Sequence, residues 1–173
     1  MPAATKQTIS EAVKTLLFEK KVKKLTVKDI VEQCNITRQT FYYHFEDIPD
    51  LLRWTVEQDL EKTLDAVLAQ KDPESALRYM FLLAINAKPY IEQTARCNYG
   101  EELMELLSQQ LYRFCLQTAR AQNLYPDCPI AQAEFNVRYH TGAMLHLLRT
   151  WTPEDTQNLD AIVHYAALQL RPK

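Results

Sequence analysis

The sequence predicts an all-α fold of about eight or nine helices in two units. Three observations predict it. Apolar residues recur at the helical period almost from end to end. Only 2 of the 173 residues are glycine, too few for the tight hairpins of an all-β chain. Thr, Asp and Pro recur at the heads of the periodic stretches, where helices start.

The elements follow in order. Helix 1 is expected from about Thr5 to Lys20, with Ile9, Ala12, Val13, Leu16 and Leu17 as its buried stripe. Thr26 caps a short helix that ends near Cys34 and turns Val27, Ile30 and Val31 inward. Asn35 stands at the turn, where a left-handed backbone is tolerated. Thr37 caps a third short helix to about His44, and Asp47 with Pro49 opens a fourth to about Ala69. Asp72-Pro73-Glu74 opens a helix that should stop near Pro89. A further helix spans Tyr99 to Ala121. Asp127 with Pro129 opens the next, to about Thr150, and Thr152-Pro153-Glu154 opens one last helix.

Several classes drop out. The longest uncharged runs, Tyr139–Leu148 and Ala161–Leu170, have ten residues each, against about 20 for a membrane span. The first residues carry no apolar run of the secretory kind, so a cytoplasmic protein with no membrane partner is expected. Cys34, Cys97, Cys115 and Cys128 form no Cys-x-x-Cys and read as reduced thiols. Glycine-rich phosphate loops are absent. His140 and His146 are six apart and fall on different helix faces, so no metal site, no cofactor and no catalytic constellation is read. Nothing positive supports a small helical enzyme.

Charge is uneven. Residues 1–45 sum to +4 and residues 46–173 to −6, within a total of −2. A basic first unit joined to an acidic remainder suggests a polyanion as partner of the first alone.

The informative stretch is Leu25 to Leu52. Two short helices joined at Asn35-Ile36 and packed on helix 1 have the layout of a helix-turn-helix, whose second helix lies in the major groove. Phe41 and Phe45, four apart, face the core. The opposite surface holds Thr37, Arg38, Gln39, Thr40, Tyr42, Tyr43 and His44, with one cation and no acid. Arg reads guanine and Gln reads adenine in bidentate fashion. Hydroxyls suit phosphates. With Thr26 and Lys28 these are the candidate contacts to double-stranded DNA.

Thr37-Arg38-Gln39-Thr40-Phe41-Tyr42-Tyr43-His44-Phe45, preceded by Leu25-Thr26-Val27-Lys28-Asp29-Ile30-Val31 and followed by Asp47 to Leu52, resembles the TetR-type transcriptional regulators. The resemblance covers about residues 6–55. Two positions depart from the family pattern. Asn35 stands where Gly is frequent, and Ile48-Pro49 replaces a common Lys, with Glu46 and Asp47 beside it. The resemblance implies a phosphate contact there that these residues put in doubt, and weaker or more sequence-dependent DNA binding is expected unless Lys23, Lys24 and Lys28 compensate.

The resemblance implies residues 1–47 as a DNA-binding head and 48–173 as a helical effector-binding and dimerisation domain. It implies a homodimer, with recognition helices about 34–36 Å apart on a near-palindromic site. Gly142, Ala143, Leu147, Ile162, Ala166 and Leu170 are the candidate interface, and their apolar and small side chains favour it independently. It also implies an effector pocket. Trp54, Tyr79, Phe81, Tyr90, Arg96, Tyr99, Phe114, Tyr139 and His140 are its candidates, with Arg96 suited to an anion. The function read is that of an effector-modulated repressor. The alternative is an activator whose second domain binds a partner protein, as in the short-chain TetR-type activators of dihydroxyacetone-kinase operons.

Overall fold

A computed structural model describes residues 2–170, with side chains for residues 4–170 other than Tyr90 and Thr94. The described residues are all-helical. In chain order they form α1 (Pro2–Lys14), a π-helical turn (Thr15–Glu19), α2 (Val27–Cys34), α3 (Arg38–His44) and α4 (Ile48–Leu68). The longer α5 (Pro73–Thr94), α6 (Gly100–Ala121) and α7 (Ile130–Arg149) follow, then the short α8 (Pro153–Gln157) and α9 (Leu159–Leu170). None of these is long and apolar enough to cross a membrane.

The chain forms two compact units that are discontinuous in sequence. The first is Met1–Asp59 with Pro89–Ser108, and the second is Leu60–Lys88 with Gln109–Lys173. The division falls inside α4, α5 and α6, each of which runs on as one helix. In the first unit Ile9, Val13, Leu16 and Leu17 pack with Leu25, Ile30, Val31, Phe41, Phe45, Leu51 and Leu52. Cys97 and Leu103, far along the chain, complete that core. Each fully buried Leu, Ile or Phe contributes about 1.5–3 kcal/mol by leaving water. The second unit has two cores. One joins Leu77 and Phe81 to Leu159, Val163 and Ala167, with the Phe81 ring 5.5 Å from Trp151. The other is Val67, Ala76 and Phe114.

Helix ends show why so few glycines suffice. Asn35 takes the left-handed conformation at φ 54°. Its N–H donates to the Glu32 carbonyl and the Ile36 N–H donates to the Val31 carbonyl, which closes α2 with two bonds. Asn123, at φ 49°, closes α6 in the same way, through Arg120 and Ala119. Asparagine therefore takes the usual place of glycine at both ends.

Four expectations are corrected. The first helix ends in a π-helical turn, where the Lys20 N–H donates to the Thr15 carbonyl and Lys21 adopts φ 53°. Helix α5 does not stop at Pro89 but runs five residues beyond it. A proline removes one N–H and crowds one carbonyl, and the turns on either side hold the helix. Asp127 does not cap α7; Pro129 stands at the cap and its carbonyl accepts from Gln132 and Ala133. The final helix is two. Thr152 and Asp155 form a capping box for the single turn α8, which ends at Asn158 before α9 begins.

Candidate nucleic-acid interface

Local chemistry sets both helices of the head. The Thr26 hydroxyl accepts from the Asp29 N–H at 3.2 Å, while the Asp29 carboxylate accepts from the Thr26 N–H at 3.1 Å and from its hydroxyl at 2.6 Å. This reciprocal pair fixes where α2 starts. The Thr37 hydroxyl accepts from the Thr40 N–H at 3.1 Å and lies 2.9 Å from the Thr40 hydroxyl, which starts α3. At the entry to α4, Asp47 accepts from the Asp50 N–H at 2.8 Å.

Helix α3 is amphipathic in the sense expected. Phe41 and Phe45 are fully buried, and Phe45 meets Trp54 edge to face at 5.8 Å. Arg38 and Gln39 are exposed, Tyr42 is 57 % exposed and Tyr43 is 79 % exposed. His44 is half-buried beside Tyr43, with ring centroids 5.0 Å apart. Thr26 and Thr40 are half-buried and Thr37 exposed, and all three hydroxyls are engaged in caps. They position the helices; the Thr26 hydroxyl proton is already given to Asp29, and between Thr37 and Thr40 one O–H is left to donate to a phosphate.

The basic side chains divide. Lys6 lies over the rings of Phe45 and Trp54, at 4.9 and 5.8 Å from their centroids. Lys14 pairs with Asp59 at 2.8 Å, and Lys20 donates to Gln33. Lys28 is exposed and reaches Glu32 only at 3.8 Å. Lys21, Lys23, Lys24 and Arg38 make no ion pair among the described residues. These exposed cations flank α2 and begin α3. Ile48, by contrast, is 4 % exposed and packed in the core. Position 48 therefore supplies core apolar volume and offers no cation to a phosphate.

Sequence reasoning missed the residue that ties the loop before α2 in place. Asn98 lies between α5 and α6. Its Oδ1 accepts from the Leu25 N–H at 2.7 Å, its Nδ2 donates to the Leu25 carbonyl at 3.3 Å, and its own N–H donates to the Lys23 carbonyl at 3.1 Å. The partners are 73 residues apart, so no local pattern marks them. The close approach of Gly100 to Ala95, five residues back, was missed as well: a Cβ there would collide with the Ala95 carbonyl.

The effector candidates do not gather at one place. Trp54 and Tyr99 pack on the core of the first unit, and Arg96 is exposed in that unit. Tyr79, Phe81 and Phe114 belong to cores of the second unit, and Tyr139 is exposed. The side chain of Tyr90 lies outside the described residues. His140 is the one candidate with a described side chain that lines the second unit's cavity of about 50 Å³, and burial holds its pKa below the ordinary range. Helical aromatic spacing marks burial, and burial in a core looks the same in sequence as burial around a ligand. The cavity's polar wall, Gln122, Tyr125 and Thr141, carries no spacing signal.

Of the interface candidates, Gly142, Ala143 and Leu147 on α7 are exposed, with open space beside Gly142. Ile162, Ala166 and Leu170 on α9 are half-buried, the first two packed with Leu170 against the Phe81 core. Among the described residues, no group of three or more His, Cys, Asp or Glu side chains forms a metal site.

A three-helix head whose capped third helix offers exposed Arg, Gln and Tyr and no acid defines a helix-turn-helix of the DNA-binding class. Residues 9–53 match the family described as bacterial regulatory proteins, tetR family. Over 61 residues the chain is 33 % identical to the HTH-type dhaKLM operon transcriptional activator DhaS of Lactococcus lactis subsp. lactis (strain IL1403). That stretch covers 35 % of this chain and 33 % of the relative. Both matches are likenesses of part of the chain to TetR-family regulators.

Proposed function

We propose that the chain is a dimeric transcriptional regulator that reads a near-palindromic DNA site through residues 26–44 and answers to an effector held by its later helices. Residues 1–47 form the reading head; residues 48–173 bind effector and partner protomer. It acts in the cytoplasm, as a repressor and not as an enzyme. The observation that carries the reading is the acid-free exposed face of α3, Arg38-Gln39 with Tyr42 and Tyr43, flanked by unpaired Lys23 and Lys24. A short helix solvated for its own sake has no reason to exclude acids. The dimer is supported by a stripe of exposed apolar side chains on α7 and α9: Phe135, Tyr139 and Leu147 with Tyr165 and Leu168. Exposed faces of that kind mark association surfaces.

A second reading is an activator whose later helices bind a partner protein. The relative's name, an operon activator, favours it.

The test is selection of fragments from the source genome by the purified full chain, followed by affinity against salt. A near-palindromic winner with a steep salt slope supports the regulator reading. Failure to enrich any sequence at low salt, from a folded dimer, would refute it.

A further inference from the structure

We propose that the cavity of the second unit binds a small uncharged hydroxylic compound, a short alcohol or diol of about three to five non-hydrogen atoms. The cavity, of about 50 Å³, lies among α5, α6, α7 and the end of α9. Most of its wall is apolar, from Leu77, Met80, Val137 and Met144 among others. Three of the lining residues carry an oxygen without a partner: Gln122 Oε1, Tyr125 Oη and Thr141 Oγ1. Each is shielded from solvent and meets no N or O partner. Of the four side-chain atoms in that condition among the described residues, these three belong to residues that line this one cavity.

Buried hydroxyls and amides without partners destabilise a fold, and native structures hold few of them. Packing alone would favour valine at position 141, where Thr141 is 4 % exposed. The Cys115 thiol beside it is a weak partner. Tyr125 also lines a neighbouring cleft, so the assignment rests first on Gln122 and Thr141. A ligand hydroxyl both donates and accepts. It gives a proton to Gln122 Oε1 and takes one from the Thr141 or Tyr125 hydroxyl, while its carbons meet the apolar wall.

Among the described residues no Lys, Arg, Asp or Glu lines the cavity, and burial keeps His140 toward its neutral form. An ionic ligand would therefore be desolvated without a counter-charge. Arg96, read from the sequence as an anion contact, belongs to the other unit. As an effector site the proposal rests on the regulator reading; as a binding site it does not.

The experiment is methyl NMR of the full chain labelled at methionine, titrated with 1,2-propanediol. Propionate and propylammonium serve as charged counterparts. Met80 and Met144 line the cavity, and Met104 lies in the first unit. Saturable millimolar shifts at Met80 and Met144, with Met104 unmoved and no response to either ion, are expected. Thr141→Val should weaken binding about tenfold or more, without lowering the thermal midpoint, because it replaces an unpaired hydroxyl by a methyl. Linear unsaturable shifts, equal shifts at Met104, or wild-type affinity in Thr141→Val would overturn the site. A cavity that holds only water gives the first of these. DNA retention titrated with the same diol reads regulation separately. Saturable methyl shifts with unchanged DNA affinity would keep the binding site and remove its role as an effector site.

Discussion

Replacing Asn98 by alanine tests how the recognition head is held. The side chain makes two bonds to one residue, accepting from the Leu25 N–H at 2.7 Å and donating to the Leu25 carbonyl at 3.3 Å. Leu25 is itself fully buried. Truncation leaves both of its main-chain groups unpaired. Each orphaned group costs about 1–3 kcal/mol when water cannot reach it. Asn98 is exposed, so water enters the vacated space and recovers part of the loss. The expected destabilisation is therefore about 2 kcal/mol, the lower end of that sum. The remaining bond, from the Asn98 N–H to the Lys23 carbonyl, survives because it is main chain. Trp54 packs on the first unit's core and Trp151 on a core of the second. Urea unfolding followed by fluorescence in a Trp151→Phe background therefore reports the first unit. With a slope of about 1–3 kcal/mol per molar, the midpoint should fall by about 1 M. Hydrogen exchange at the Leu25 amide should accelerate by more than about tenfold. Arg96→Ala, an exposed site with no ion pair among the described residues, is the control and should move the midpoint little. A change below about 0.5 kcal/mol for Asn98→Ala, within the range of ordinary surface substitutions, would refute the clamp.

Other expectations follow from the same geometry. Gly100→Ala places a methyl 2.4 Å from the Ala95 oxygen and 2.8 Å from its carbon; backbone must move, and a loss of about 1–3 kcal/mol should appear in the same urea assay. On a selected DNA site, Arg38→Ala should cost about 1–3 kcal/mol and relax one base position, whereas Lys23→Ala should lower the salt slope by about 0.9 without altering base preference. Burial lowers the His140 pKa below its ordinary 6.5. The unfolded chain then binds the proton first, so His140 adds nothing to pH dependence well above 6.5, and stability falls as pH drops from there toward the folded pKa. His140→Gln should flatten that decline in urea midpoints read through Trp151 in a Trp54→Phe background. Phe135→Glu or Tyr139→Glu, both at exposed positions of α7, should convert the proposed dimer to monomer in sedimentation while the helical signal is kept.

The local structure of the head is legible in the order of its residues alone. Thr26 with Asp29 and Thr37 with Thr40 are caps because a side chain three residues from a backbone N–H needs no tertiary help to reach it. Asn35 terminates α2 for an equally local reason, its tolerance of positive φ. The division of α3 into a buried Phe41–Phe45 side and an exposed Arg38, Gln39, Tyr42, Tyr43 side follows from helical period alone. Tertiary structure decided the rest. Pro89 signals a stop, yet surrounding turns carry α5 past it. Asn98 acts on Leu25 only once the chain has brought them together. Phe81 and Phe114 share their spacing with pocket residues but lie in cores, while Gln122 and Thr141, which have no spacing signal, face a cavity. Periodicity tells which side of a helix leaves water. Whether that side meets another side chain or an open space is a property of the packed neighbours, and no local segment encodes it.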